Sequence, residues 1–151
     1  MTRIDFYHLQ KGNIEDTLPK LLEKAYALGK KILVKIGNEE RVEFINTHLW
    51  TYDEQSFLPH GSKKDGNADM QPVWLTAQDD NPNDASILFL ADGAKASIDN
   101  VAAFERVLNI FDGNNQKALT WSREFWKELK SQNMECYYWQ QDEQGIWRQK
   151  A

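Results

Sequence analysis

Residues 117–130 (KALTWSREFWKELK) set cations and aromatic rings at helical spacing in an otherwise acidic chain. Wound at about 100° per residue, Ala118, Trp121, Ser122, Phe125 and Leu129 share one side of a helix. Arg123, Lys127 and Lys130 share the other, with Leu119 and Trp126 at its edges. Guanidinium and ammonium donors rimmed by apolar groups suit a short acidic peptide that carries an apolar anchor. The cations meet the carboxylates and the rim takes the anchor. The plainer alternative is a solvated basic face with no partner.

Little else in the chain has the spacing of chemistry. His8, His48 and His60 are not at metal-ligand spacing. His8 falls in a strand-like run, where a hydrogen-bonded structural role is the ordinary one. Cys136 is the single cysteine, so no internal disulfide forms, and its apolar run MECYYW predicts a buried, inert thiol. Neither GxGxxG nor GxxxxGK[ST] nor GxSxG occurs. Gly61-Ser62-Lys63-Lys64 echoes a phosphate loop without its leading glycine. Asp79, Asn81 and Asn83 echo the start of a calcium loop, but Asp84 and Leu90 stand where glycine and glutamate are required. Carboxylates are too abundant for any pair to stand out as acid and base. No catalytic residue, metal site or cofactor is expected, and the balance favours binding. A small α/β enzyme with a dispersed active site stays open as an alternative. Its mark would be a ligand-sized cleft with titratable groups at the C-terminal ends of the strands.

The chain has 151 residues and a net charge of −5. That length fits one domain with a real core. The negative charge speaks against a general nucleic-acid coat and for a specific anionic partner at the local basic face. Direct binding of single-stranded DNA by that face and its rings is a further alternative. No apolar run reaches the roughly 20 residues of a membrane span. The opening residues have no secretory apolar core, and a cytoplasmic location is expected.

These residues must be positioned by a β-α-β-α opening. Residues 4–9 (IDFYHL) read as a strand. Asp16 or Thr17 caps a helix to about Leu28, with Pro19 in its first turn and Leu18, Leu21, Leu22, Ala25 and Leu28 as its stripe. Residues 31–36 (KILVKI) form a second strand. Asn38 caps a helix to about Leu49, with Val42, Phe44, Ile45 and Leu49 apolar. Residues 56–58 and 72–76 bracket a mobile loop over residues 60–71, rich in glycine and charge. Residues 86–91 (SILFLA) predict a central strand. Residues 105–111 suit helix or strand, and the Phe111-Asp112-Gly113 stop favours strand. An aromatic strand over residues 134–140 and a short strand around Trp147 close the chain. No internal repeat or low-complexity tract is present. The fold class expected is a single three-layer α/β/α domain with a mostly parallel central sheet, over residues 1–151.

Several blocks stand in consistent order: Asp5-Phe6-Tyr7-His8-Leu9, Leu49-Trp50, Phe57-Leu58-Pro59-His60-Gly61, Pro72-Val73, Phe104-Glu105-Arg106-Val107, Ile110-Phe111-Asp112-Gly113, Trp126-Lys127, Tyr138-Trp139-Gln140 and Gly145-Ile146-Trp147. Together they resemble the chi subunit of bacterial DNA polymerase III holoenzyme across nearly the whole chain. The resemblance implies a non-catalytic replisome protein. It would join the clamp loader, through the psi subunit, to the acidic C-terminal tail of single-stranded DNA-binding protein, which ends in Phe. Some members of the family also pair with a repair helicase. The resemblance makes Arg123 the pocket arginine, in register through Trp126-Lys127, with Lys127 and Lys130 on the tail's acidic side chains. Trp50 is either a pocket wall or core. Phe57, His60 and Trp126 are further wall residues, and Pro59 fixes their loop. Tyr138 stands near the position of a pocket threonine found in other members and carries its hydroxyl further out. Leu119 replaces a basic residue found in other members.

Overall fold

The structure, a computed structural model, describes residues 2–53 and 58–151. The chain runs β1 (Arg3–Leu9), α1 (Ile14–Tyr26), β2 (Ile32–Ile36), α2 (Glu39–Thr51), β3 (Val73–Thr76), β4 (Ile87–Ala91), α3 (Ile98–Ala102), β5 (Arg106–Asp112), α4 (Gln116–Ser131), β6 (Glu135–Gln141) and β7 (Trp147–Gln149). Among the described residues, seven strands form one sheet in the order β3-β2-β4-β5-β1-β6-β7. Only the β6–β7 pair is antiparallel.

Helices cover both faces, as a parallel sheet requires. Leu18, Leu22, Val42, Ile45 and Leu49 of α1 and α2 pack on Tyr7, Val34, Phe89 and Ile110 of the sheet. Val101 of α3 and Phe125 and Leu129 of α4 pack on Phe6, Leu33, Leu90 and Phe111 from the other side. The result is the three-layer α/β arrangement the sequence predicts. Buried Asp5 on β1 ties the central strands together. It accepts from Arg106 Nε on β5 at 3.2 Å and from Trp139 Nε1 on β6 at 3.0 Å.

Local chemistry moves some boundaries. Asn13, not Asp16 or Thr17, caps α1, its side chain accepting from the Asp16 amide at 2.9 Å. Pro19 therefore lies past the first turn and leaves the Glu15 carbonyl without its helical donor. His48 Nε2 of α2 supplies the missing hydrogen bond at 2.7 Å. Leu28 lies beyond the end of α1 and is 57% exposed. Phe44 is 50% exposed, with the Arg41 guanidinium 4.5 Å above its ring. The short helix α3, capped by Ser97, has no counterpart among the expected elements. In the segment after Leu58, Gly61 bridges to Trp74 and the Asp65 carboxylate accepts from Asn46 Nδ2 at 2.7 Å. A single 3₁₀ turn, Ala68–Met70, leads into β3. Ser56 and Phe57 lie outside the described residues.

Candidate functional site

The basic helix forms one residue longer at each end than its pattern suggests. Asn115 caps it, accepting from the Ala118 amide at 3.1 Å. Ser122, Phe125 and Leu129 are buried, and Ala118 and Trp121 are half-buried. Arg123, Lys127 and Lys130 are exposed. The two faces therefore separate as the 3.6-residue period dictates.

Beneath the basic face lies an aromatic floor. Trp126 meets Phe6 at 5.3 Å and Tyr138 at 5.8 Å, both edge-on. Tyr138 stacks on Phe6 at 6.4 Å and meets the Phe111 ring at 6.2 Å. Lys130 Nζ sits 5.7 Å from the centre of the Trp126 ring. The two strands that supply Phe6 and Tyr138 are parallel neighbours with these residues directly opposite each other.

Electrostatics distinguish Arg123 from the other arginines. Arg3, Arg41, Arg106 and Arg148 each meet a carboxylate. Among the described residues, neither Arg123 nor Lys127 nor Lys130 makes a salt bridge. The Arg123 charge is felt inside the floor. Burial, and then Arg123, hold the His8 imidazole below its usual range, with Asp112 opposing. Burial raises the Tyr138 phenol, with Arg123 opposing.

His8 is the site residue that spacing did not single out. Its Nδ1 lies 2.7 Å from the Tyr138 hydroxyl and 3.1 Å from Gln140 Nε2. Its ring also contacts Phe111, with centroids 5.0 Å apart. The clue available in the sequence is strand parity: Ile4, Phe6 and His8 alternate onto one face of β1. Gly113 makes room for the ring, since a Cβ there would stand 1.8 Å from His8 Nε2. The Tyr138 hydroxyl is thus turned inward to His8, rather than outward as its length suggested.

Trp50 and His60 are not part of this site. The chain carries α2 to the α1 side of the sheet, opposite α4, so neither can wall a pocket around Arg123. Trp50 is 50% exposed and lies on His60, with centroids 4.1 Å apart. His60 is buried and clasps the Leu58 and Asn46 carbonyls at 2.6 and 3.0 Å, which is a structural role. Leu119 is half-buried at the edge of the basic face. Cys136 is buried, and burial raises its thiol pKa, as expected for an inert cysteine.

A concavity lies on the far side of α4. Helices leave the neighbouring strands β1 and β5 toward opposite faces, and their C-terminal ends open there into a cavity of about 570 Å³. Its polar lining includes Glu15, Arg41, Asp92, Asn109, Lys117 and Ser122. Arg41 is already engaged by Glu15 and Asp92. Burial raises the Glu15 pKa, but the hydrogen bond from Arg41, its own backbone N–H and the charges of Arg41 and His48 together leave it below the ordinary value. Such a carboxylate is a poor general base near neutral pH. Among the described residues, no group of three or more His, Cys, Asp or Glu is placed to hold a metal ion. None of their helices is long and apolar enough to cross a membrane.

Comparison with known proteins gives a match to the family of the DNA polymerase III chi subunit, HolC, over residues 1–137. Tyr138 stands just past the matched span. A relative from Rickettsia prowazekii (strain Madrid E), named "Probable DNA polymerase III subunit chi", is 33% identical over 90 residues. That stretch is 60% of this chain and 54% of the relative, so the match spans about half the relative's length.

Proposed function

The chain belongs to the DNA polymerase III chi subunit family, and on that basis we propose that it is a non-catalytic adaptor of the replisome, docking the acidic C-terminal tail of single-stranded DNA-binding protein on the basic face of α4. The observation that carries this reading is Arg123, a cation without a carboxylate partner among the described residues, standing over an aromatic floor in a protein of net charge −5. A tail ending in Phe offers what such a surface lacks. Its terminal carboxylate takes two N–H groups from Arg123. Its acidic side chains meet Lys127 and Lys130, and its ring settles beside Trp126 and Tyr138. Charge-assisted hydrogen bonds of about 1.5–3 kcal/mol and one anchored ring, less association costs, give affinity on the order of micromolar.

An adaptor needs a second surface. The α1–α2 side, where Trp50 is exposed, lies across the sheet and stays open for a clamp-loader partner such as psi, or for a repair helicase, while the tail is held. A cytoplasmic replisome is the setting this reading implies.

Titration of wild type and Arg123→Ala with the cognate tail peptide tests the proposal. Unchanged affinity in the variant sinks the site, and no binding by wild type sinks the function. The cavity at the strand ends favours the alternative of a small α/β enzyme. A low-molecular-weight substrate protected by that cavity, with no response to the tail peptide, would establish it. Tight binding of a bare oligonucleotide that weakens steeply with salt would instead favour direct contact with single-stranded DNA.

A further inference from the structure

The aromatic floor contains a hydrogen-bond cluster centred on His8. In the structure His8 Nδ1 faces two donors, the Tyr138 hydroxyl at 2.7 Å and the Gln140 amide nitrogen at 3.1 Å. The Gln140 amide nitrogen can only donate, so Nδ1 accepts from it and carries no proton, the neutral ring holds its proton on Nε2, and the Tyr138 hydroxyl donates to Nδ1 as well. The Tyr138 O–H is consequently spent inward, on His8. His8 is 9% exposed, held by Phe111 on one side and by Gly113 on another. The charged and titratable groups facing it are Arg123 from α4, Asp112 from β5 and Tyr138 from β6.

We propose that His8 and Tyr138 form a proton-linked switch in the tail pocket: when a carboxylate settles beside Arg123, His8 takes one proton from solvent onto Nδ1, and Tyr138 turns its O–H from His8 toward the bound carboxylate. This rests on the adaptor reading of the same site and adds its regulation. The proton balance is simple. Nδ1 gains a proton and becomes a donor, Nε2 keeps its own, and the ring becomes an imidazolium. The Tyr138 oxygen now accepts from Nδ1, which frees its hydrogen to point outward. The Gln140 amide turns its oxygen toward the same nitrogen.

The driving force is the change in field around Arg123. In the free chain burial opposes a positive charge on His8, and the Arg123 cation opposes it further. A carboxylate on Arg123 cancels the repulsion, so the protonated state is stabilised only with ligand present. Binding therefore takes up a proton. By linkage, the gain in affinity is full below the His8 pKa of the free chain and is lost as pH rises through that of the complex. Tyr138 matters because it converts the proton into a contact: phenylalanine at that position would let His8 titrate but deliver no hydroxyl to the ligand.

The test uses the full chain and a synthetic tail peptide of several Asp residues ending in Phe, with affinity measured from pH 5.5 to pH 8 at fixed ionic strength. The peptide carboxylates stay ionised throughout. Wild-type affinity is expected to rise about tenfold toward pH 5.5, the effect of a shift of about one pKa unit. His8→Gln should bind with affinity flat to within about twofold, and Tyr138→Phe should keep a rise with acid through His8 but bind more weakly at every pH, because it delivers no hydroxyl to the ligand. In parallel, the three imidazoles of the wild-type chain are titrated by NMR with and without peptide. The His8 midpoint should move up, while those of His48 and His60, across the sheet, should not. Wild-type binding that is flat with pH, a rise that survives in His8→Gln, or an unmoved His8 midpoint would each overturn the switch and leave the adaptor reading standing. Absence of peptide binding at every pH would overturn the adaptor reading itself. The NMR measurement decides the matter should His8→Gln fail to fold.

Discussion

Removing the Arg123 guanidinium takes away paired charge-assisted hydrogen bonds and leaves the aromatic floor intact. Arg123→Ala should therefore cost about 1.5–3 kcal/mol of tail affinity, roughly 10- to 150-fold in Kd, with an unchanged unfolding midpoint. Lys127→Ala should cost less, about threefold, and should reduce the salt dependence of binding, because an exposed ammonium acts through screened attraction. Gly113 works the other way. A methyl group there would collide with His8 and with the Leu9 carbonyl, 2.9 Å away. Gly113→Ala should lower stability by about 1–3 kcal/mol in urea titrations, the usual range for overpacking. At this scale the sequence was informative where one helix supplies the geometry, as for Arg123, Lys127 and Trp126. It was silent on the contact of His8 with Tyr138, which joins residues 130 positions apart and exists only once β1 and β6 are neighbours.

Two helices share one unusual joint. Pro19 interrupts the hydrogen bonding of α1, and His48 of α2 mends it. His48→Ala should cost about 1–2 kcal/mol, since it leaves the Glu15 carbonyl without a donor. Pro19→Ala restores the helical N–H and should recover part of that loss in the double variant. A double-mutant cycle by chemical denaturation measures the coupling, and additive effects would show that the joint contributes nothing. The joint was hidden in the sequence because Pro19 is comfortable in a first turn, which drew the expected cap to Asp16 or Thr17 and away from Asn13. The β-strands and α4 were legible, since their apolar periods are long and regular. The short α3 was not, because five residues hold too little periodicity. Strand order was not legible either, and Trp50 was misplaced for that reason: only the sheet order shows that α2 and α4 lie on opposite faces.

Acid should loosen the whole molecule through carboxylates held below their ordinary pKa. The Asp65 carboxylate is lowered chiefly by the Ser62 backbone N–H, and Glu15 by Arg41 against the opposing effect of burial. Depressed carboxylates contribute stability that is full above their unfolded values near pH 4 and is lost as pH falls through the folded values. Urea midpoints measured from pH 7 to pH 3 should drop below about pH 4, and Asp65→Asn should make that drop shallower. The continuous sheet between the two helix layers has a further consequence. Among the described residues the His8–Tyr138 pair lies on one face of that sheet only, so the coupling factor between the two surfaces should be about one. Tail affinity measured with and without a partner on the α1–α2 side should therefore be the same. An assembly bridged in this way would transmit position but no allosteric signal, and its lifetime would be set by whichever joint lets go first.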